Sequence, residues 1–252
     1  MARYFLELIY DGTAFHGSQL QGELPTVQLS VNKALSILLA IPMGSFGASR
    51  TDEGVHALCN FYHFDTEQEL HPHFLYKINS ILPQTIAVKK VYIAKGDINA
   101  RFDAMARKYR YKIYKNKNPF LLKKAYYYPL SIRPEILHLT AAILKDYEHF
   151  EAFSKRKTQA KTFTCNIYHS YWEEYAEELH YVVEANRFLR GMVRGLVGTQ
   201  LQIARERSSI DDFRKIIESA DCTKADFSVP GHGLYLEKIF YPEGVLTELD
   251  LK

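Results

Sequence analysis

Residues Arg107 to Lys117 read RKYRYKIYKNK, and within them Lys108, Arg110 and Lys112 alternate with Tyr109, Tyr111 and Ile113. Successive side chains of a strand point to opposite faces, so this spacing predicts a strand with one charged and one apolar face. No acid interrupts its basic residues Arg107, Lys108, Arg110, Lys112, Lys115 and Lys117. Cations neutralise phosphates and aromatic faces receive unstacked bases, which makes RNA a candidate partner. Taken alone, the stretch fits equally well a solvated strand face whose lysines guard a sheet edge against aggregation. Two further clusters favour the nucleic-acid reading: Lys155, Arg156, Lys157 and Lys161, then Arg187, Arg190 and Arg194. Acids gather elsewhere, at Glu173, Glu174, Glu177 and Glu178 and in the tail from Glu243 to Asp250.

Upstream of this strand, Tyr4 to Tyr10 reads as a strand closed by the turn dipeptide Asp11-Gly12. Thr26 is the expected N-cap of a helix burying Val27, Val31, Leu35 and Leu38, with Pro42 as its stop. Further strands are expected near Ser45 to Ala48, Leu58 to Phe64 and Ile86 to Ile93, with a short helix near Pro72 to Ser80. Downstream, Pro134 opens a helix that turns Leu137, Ala141 and Leu144 inward. Strands are expected near Phe163 to Trp172, Leu179 to Ala185 and Leu234 to Tyr241, and helices over Phe188 to Ala204 and Ile210 to Ala220. Strands and helices mix without regular βαβ alternation, so the expected class is α+β, built as two similar halves. The junction falls between Ala94 and Arg107, and we divide the chain into residues 1–103 and 104–252.

Composition narrows the class. The chain has 252 residues, 47% hydrophobic and 24% charged, enough to bury roughly 70–75% of its unfolded surface as one large domain or two smaller ones. No apolar run approaches the roughly 20 residues that span a bilayer, and Met1 to Leu6 lacks the apolar segment and cleavage site of a signal peptide, so a cytoplasmic protein is expected. Cys59, Cys165 and Cys222 are odd in number and none has C-x-x-C spacing, which argues for free thiols over disulfides or a cysteine zinc site. His71, His73, His56 and His63 have no acidic partner at ligand spacing, so no metal is expected. Gly231-His232-Gly233 begins like a dinucleotide-binding loop, but Leu236 stands where the third glycine belongs, and no nucleotide cofactor is expected.

Gly47 to Ala57 reads GASRTDEGVHA and places Arg50 two residues before Asp52, in a tight turn between two expected strands. Loops held by strands are where reactive groups tend to sit, and a carboxylate beside a guanidinium stays ionised, ready to act as nucleophile or base. An aspartate before a glycine-containing turn also serves simply to cap that turn, and the residues by themselves favour this plainer role.

The same segment resembles the signature of the tRNA pseudouridine synthase A family, in which the aspartate is the nucleophile. The resemblance continues in order along the chain. Tyr10-Asp11-Gly12-Thr13 with Phe15-His16-Gly17 is similar to the family's opening strand and loop. Ala100-Arg101-Phe102 with Arg107-Lys108-Tyr109-Arg110-Tyr111 is similar to its central strand, and Phe150 to Lys155 to its F-x-x-F-S-K element. Phe188, Met192-Val193-Arg194 and Gly198 match its F-x-x-x-M-V-R-x-x-V-G helix, and His232 to Leu236 its last strand.

The resemblance implies two α+β halves whose antiparallel sheets join across a central RNA-binding cleft, a homodimer, and isomerisation of uridine to pseudouridine at positions 38, 39 and 40 of the tRNA anticodon stem-loop. That reaction moves the sugar C1′ from N1 to C5 of uracil without redox change, so it implies no cofactor. It makes Asp52 catalytic, through attack on C1′, attack on C6, or proton removal from C2′ to give a glycal. Tyr109 is then expected to wall the flipped base, Arg194 to hold the carboxylate and Arg50 to pair with it or displace the base. Arg101, Arg107, Lys108, Arg110 and Lys155 are expected to contact RNA. The family's early loop usually reads G-W-Q-R-Q, whereas this chain has Gly17-Ser18-Gln19-Leu20-Gln21, without the tryptophan and the arginine. Two rivals use the same residues differently: an RNA-binding or RNA-chaperone paralogue without catalysis, and a base-removing hydrolase using Asp52 with His56.

Overall fold

Alternation of apolar and polar residues sets the strands, and the computed structural model, which describes residues 1–156, 160–205 and 208–251, places them in a mixed α+β fold. In chain order the elements are β1 (Ala2–Tyr10), α1 (Val27–Leu39), β2 (Phe46–Gly47), β3 (His56–Thr66), α2 (Phe74–Ile81), β4 (Ile86–Ala94) and β5 (Ala106–Tyr114). Then follow β6 (Tyr126–Tyr127), α3 (Pro134–Ala142), β7 (Ile167–Glu174), β8 (Glu178–Ala185), α4 (Met192–Arg205), α5 (Ile210–Glu218), β9 (Leu234–Phe240) and β10 (Leu246–Glu248). The chain divides into two compact units, Met1–Met105 with Leu236–Lys252, and Ala106–Tyr235. Leu236–Lys252, read from the sequence as the end of the second half, packs with the first unit because β10 pairs antiparallel with β4, Thr247 opposite Ile93.

In the first unit β10, β4, β1 and β3 form an antiparallel array, with β2 beside β3. Tyr4 stacks on Phe64, and Phe64 on Phe74 of α2, which joins sheet and helix. Phe5 and Phe61 meet Tyr241 edge-on. The Thr26 hydroxyl accepts from the Leu29 N–H at 3.2 Å, the expected N-cap, and Val27, Val31, Ala34, Leu35 and Leu39 are buried. Leu39 rather than Leu38 completes the apolar face. The helix ends at Leu39, before Pro42, because Ala40 turns left-handed at φ 54°.

In the second unit β8 lies between β5 and β7, all antiparallel, and the short β6 runs parallel to β5. Tyr111 and Ile113 are buried, as the alternation in β5 requires, together with Leu179 and Tyr181 of β8 and Trp172 of β7. The Trp172 indole N–H donates to Gln200 of α4 at 2.9 Å, tying sheet to helix. The helix expected from Phe188 starts at Met192, because Gly191 stands before it at φ +76° and the Asn186 side chain takes the Arg187 N–H at 2.8 Å into a turn. The end of α4 is capped by Arg133, whose guanidinium donates to the carbonyls of Ile203 and Ala204 at 2.8 and 3.2 Å. Among the described residues no helix is long and apolar enough to cross a membrane.

Candidate active site

The loop that carries Asp52 is held at Ser49 and Thr51 by side chains of other segments. The Ser18 hydroxyl takes the Thr51 N–H at 2.8 Å and donates to the Ser49 carbonyl at 3.3 Å. Buried Asn60 donates to that same carbonyl at 3.2 Å and to the Tyr10 hydroxyl at 3.1 Å, and Tyr10 in turn bonds the Thr51 hydroxyl at 2.9 Å. The opening loop crosses at backbone contact: a Cβ on Gly12 would stand 1.9 Å from the Val55 carbonyl oxygen, so only glycine fits. Asp52 to Val55 then make a tight turn, closed by Val55 N–H to Asp52 O at 3.2 Å, with Gly54 left-handed at φ +76°. Ser49, Thr51, Val55 and His56 are buried, whereas Asp52 is half-exposed and Arg50 and Glu53 are exposed. Fixed flanks around a residue that solvent reaches are what a reactive group needs. Buried His56 has its Nδ1 3.3 Å from the Gly12 N–H and 3.2 Å from the Asp11 carboxylate, and so serves the loop crossing.

Beside this loop is a cavity of about 250 Å³ lined by Ser18, Gln19, Arg50, Tyr62, Arg101 and Phe102 among others, with Phe46 at its side. Arg50 and Arg101 thus line one cavity from positions 51 residues apart. The turn bearing Arg101 is held by Asn99, whose side-chain oxygen takes the N–H groups of Arg101 and Phe102 at 2.9 and 3.2 Å.

In the second unit Tyr109 is buried, its ring meeting Phe188 edge-on at 5.1 Å. Arg194 stands in the first turn of α4, its Nε donating to the Val229 carbonyl at 2.8 Å and a terminal nitrogen to Phe227 O at 3.4 Å. The helix approaches that loop closely because Gly198 leaves no side chain against the Asp226 carbonyl. Lys155 lies against Gly191, and its N–H bonds Arg190 O at 3.0 Å. Lys108, Arg110 and Lys112 share the polar face of β5, but their surroundings differ. Arg110 is in an ion pair with Glu173 of β7, and Lys112 lies over the Tyr235 ring at 4.5 Å. Burial pushes the Glu173 carboxyl up, and the hydrogen bonds from Arg110 and Tyr175 outweigh it, leaving its pKa lowered. Arg107, on the opposite face, is 9% exposed and donates to the Asn186 carbonyl at 3.0 Å. Lys157 of the second basic cluster lies outside the described residues.

Residue patterns did not single out Asn60 or Phe46, and raised His63 only as a metal ligand and Ser18 only as a departure from the family's early loop, since short polar residues and lone aromatics carry no spacing signal. Only the loop crossing shows what Ser18 and Asn60 do. His63 is buried, stacks on Phe5 and on Phe46 at 5.5 and 5.2 Å, and accepts the Ala100 N–H on Nδ1 at 3.2 Å. Burial, helped by the Arg3 charge, lowers its pKa to about 4, so the ring is neutral and accepts at neutral pH.

A family model described as tRNA pseudouridine synthase matches residues 146–242. The chain is 42% identical to tRNA pseudouridine synthase A of Parabacteroides distasonis over 245 residues, covering 96% of this chain and 97% of that one. It is 41% identical to the protein of the same name from Bacteroides thetaiotaomicron, over 98% and 94% of the two chains, and 36% identical to that of Bacillus subtilis, over 92% and 96%. At this identity over nearly the full length, the chain belongs to the tRNA pseudouridine synthase A family.

Proposed function

We propose that this chain isomerises uridine to pseudouridine in tRNA, at the anticodon stem-loop uridines named above. The observation that supports the site assignment is Asp52: a half-exposed aspartate in a turn whose flanks are buried, with the loop backbone bonded by Ser18 and Asn60 and the Thr51 hydroxyl by Tyr10. The names of the relatives support the reaction and its tRNA substrate.

The reaction breaks the N1–C1′ bond, turns the detached uracil, and forms a C5–C1′ bond as the C5 proton leaves. Asp52 is the group that starts it, by any of the three routes given above. Tyr109, with Phe188 behind its ring, is the flat wall for the turning base, and Arg194, oriented by the Val229 and Phe227 carbonyls, is the cation for the Asp52 carboxylate. Arg50 displaces the target base from its stack. Arg101, Lys108 and Lys155 hold phosphates, with Arg107 and Arg110 more deeply engaged in their own sheet. Two α+β halves bordering a cleft, working as a homodimer in the cytoplasm, complete the proposal.

The test is tritium release from tRNA labelled at uridine C5, with the unmodified protein and Asp52→Ala side by side. Release by the first, none by the second, and similar tRNA binding by both is the expected result, because phosphate contacts dominate affinity. Binding without release by the unmodified protein would instead make this an RNA-binding paralogue, and release of free uracil would make it a hydrolase.

A further inference from the structure

We propose that the cavity beside the Asp52 loop is a second nucleotide subsite, which seats one unstacked base of the RNA next to the base that reacts. This rests on the tRNA reading above and adds to it a seat beside the reacting centre, since the cavity walls include Arg50 but not Asp52. Two large aromatic rings flank the cavity and stand out in solvent, Phe46 at 63% and Phe102 at 77% exposure. One exposed apolar ring on a surface is ordinary, but two around one hollow, with two guanidiniums at the same rim, form a set with a common ligand. Ring faces take any base and guanidiniums take its phosphate, so the set fits a nucleotide unit.

The walls are built rigidly. His63 stacks against Phe46 and holds the Ala100 N–H, the start of the turn that carries Arg101 and Phe102. The Tyr241 hydroxyl donates to the Ala100 carbonyl at 2.5 Å, and Asp103 accepts the Asn99 N–H at 2.7 Å. Phe102 is therefore exposed on a pinned turn. The Arg101 guanidinium sits over the Phe102 ring, 5.5 Å from its centre, which places the cation on one of the two ring faces. Gly47, where a Cβ would press on the Tyr62 ring at 3.0 Å, keeps the floor open. The volume of about 250 Å³ falls below the roughly 300–1,000 Å³ of sites for drug-sized ligands, and so suits a single base. Asn99, whose side-chain oxygen holds the turn, also lines the cavity.

The test compares the unmodified protein with Phe102→Ala and Phe102→Trp, using tRNA transcripts and the same transcripts made abasic at each nucleotide flanking the target. Phe102→Ala weakens tRNA binding about fivefold to a hundredfold and raises KM with kcat within about twofold, and Phe102→Trp restores both. At one flanking position the abasic RNA binds as weakly as Phe102→Ala does, and combining the two gives no further loss. Binding by Phe102→Ala within about twofold of the unmodified protein, or additive losses at every abasic position, would overturn the proposal. Because binding is read without turnover, a protein that makes no pseudouridine but shows the Phe102-dependent loss refutes the activity and keeps the subsite.

Discussion

His63 shows how a single side chain links burial, charge and site geometry. Its folded pKa of about 4 lies below the ordinary value of 6.5 because burial and the Arg3 charge oppose protonation. Between those values the unfolded chain binds a proton that the folded chain refuses, so the stability linked to His63 is complete above about pH 6.5 and falls as pH drops towards 4. Thermal unfolding from pH 7 to 4 is expected to show this fall in the unmodified protein and a shallower one in His63→Asn, which keeps an acceptor for Ala100 but has no proton to take up. Equal slopes would count against it. Nothing in the residue pattern around His63 announces this. Its partners Phe5, Phe46 and Ala100 are 58, 17 and 37 positions away, and only folding brings them together. The resemblance that proposes Asp52 as the nucleophile, by contrast, rests on a contiguous stretch, from Gly47 to Ala57.

Elements were legible where their signals were local. Thr26 with the apolar face of α1, Pro134 opening α3 and the alternation of β5 all rest on neighbours within a few residues, and each element is present. Replacing Thr26 with alanine removes the hydroxyl from the Leu29 N–H and is expected to lower stability by about 1 kcal/mol, a shift of about 2–4 °C in melting temperature, while serine restores most of it. Boundaries were less legible. The start of α4 is set by Gly191 and the Asn186 side chain, and β10 exists because β4 offers an open edge to the returning tail. A strand of three residues has too short a pattern to be read without its partner.

For the whole molecule, the question is which of its cations face RNA. Counted along the chain, Arg101, Arg107 and Arg110 are alike, but the structure gives Arg110 a carboxylate partner in Glu173 and buries Arg107 against Asn186. Arg101 lines the cavity beside the Asp52 loop, so the salt dependence of tRNA binding is expected to lose about one unit of slope in Arg101→Gln, and, with Glu173 beside it, to change little in Arg110→Gln. Equal slopes for the two variants would reverse the assignment. By itself the sequence determined the α+β class, the family, the Asp52 loop and most elements, because periodicity, caps and contiguous motifs are short-range properties of the chain. The tertiary structure alone decided which basic residues are already paired, where the C-terminal strand adds, and that Arg50, Phe46, Arg101 and Phe102 enclose one cavity. Those depend on contacts between residues tens to more than a hundred positions apart, and such contacts leave no spacing to read.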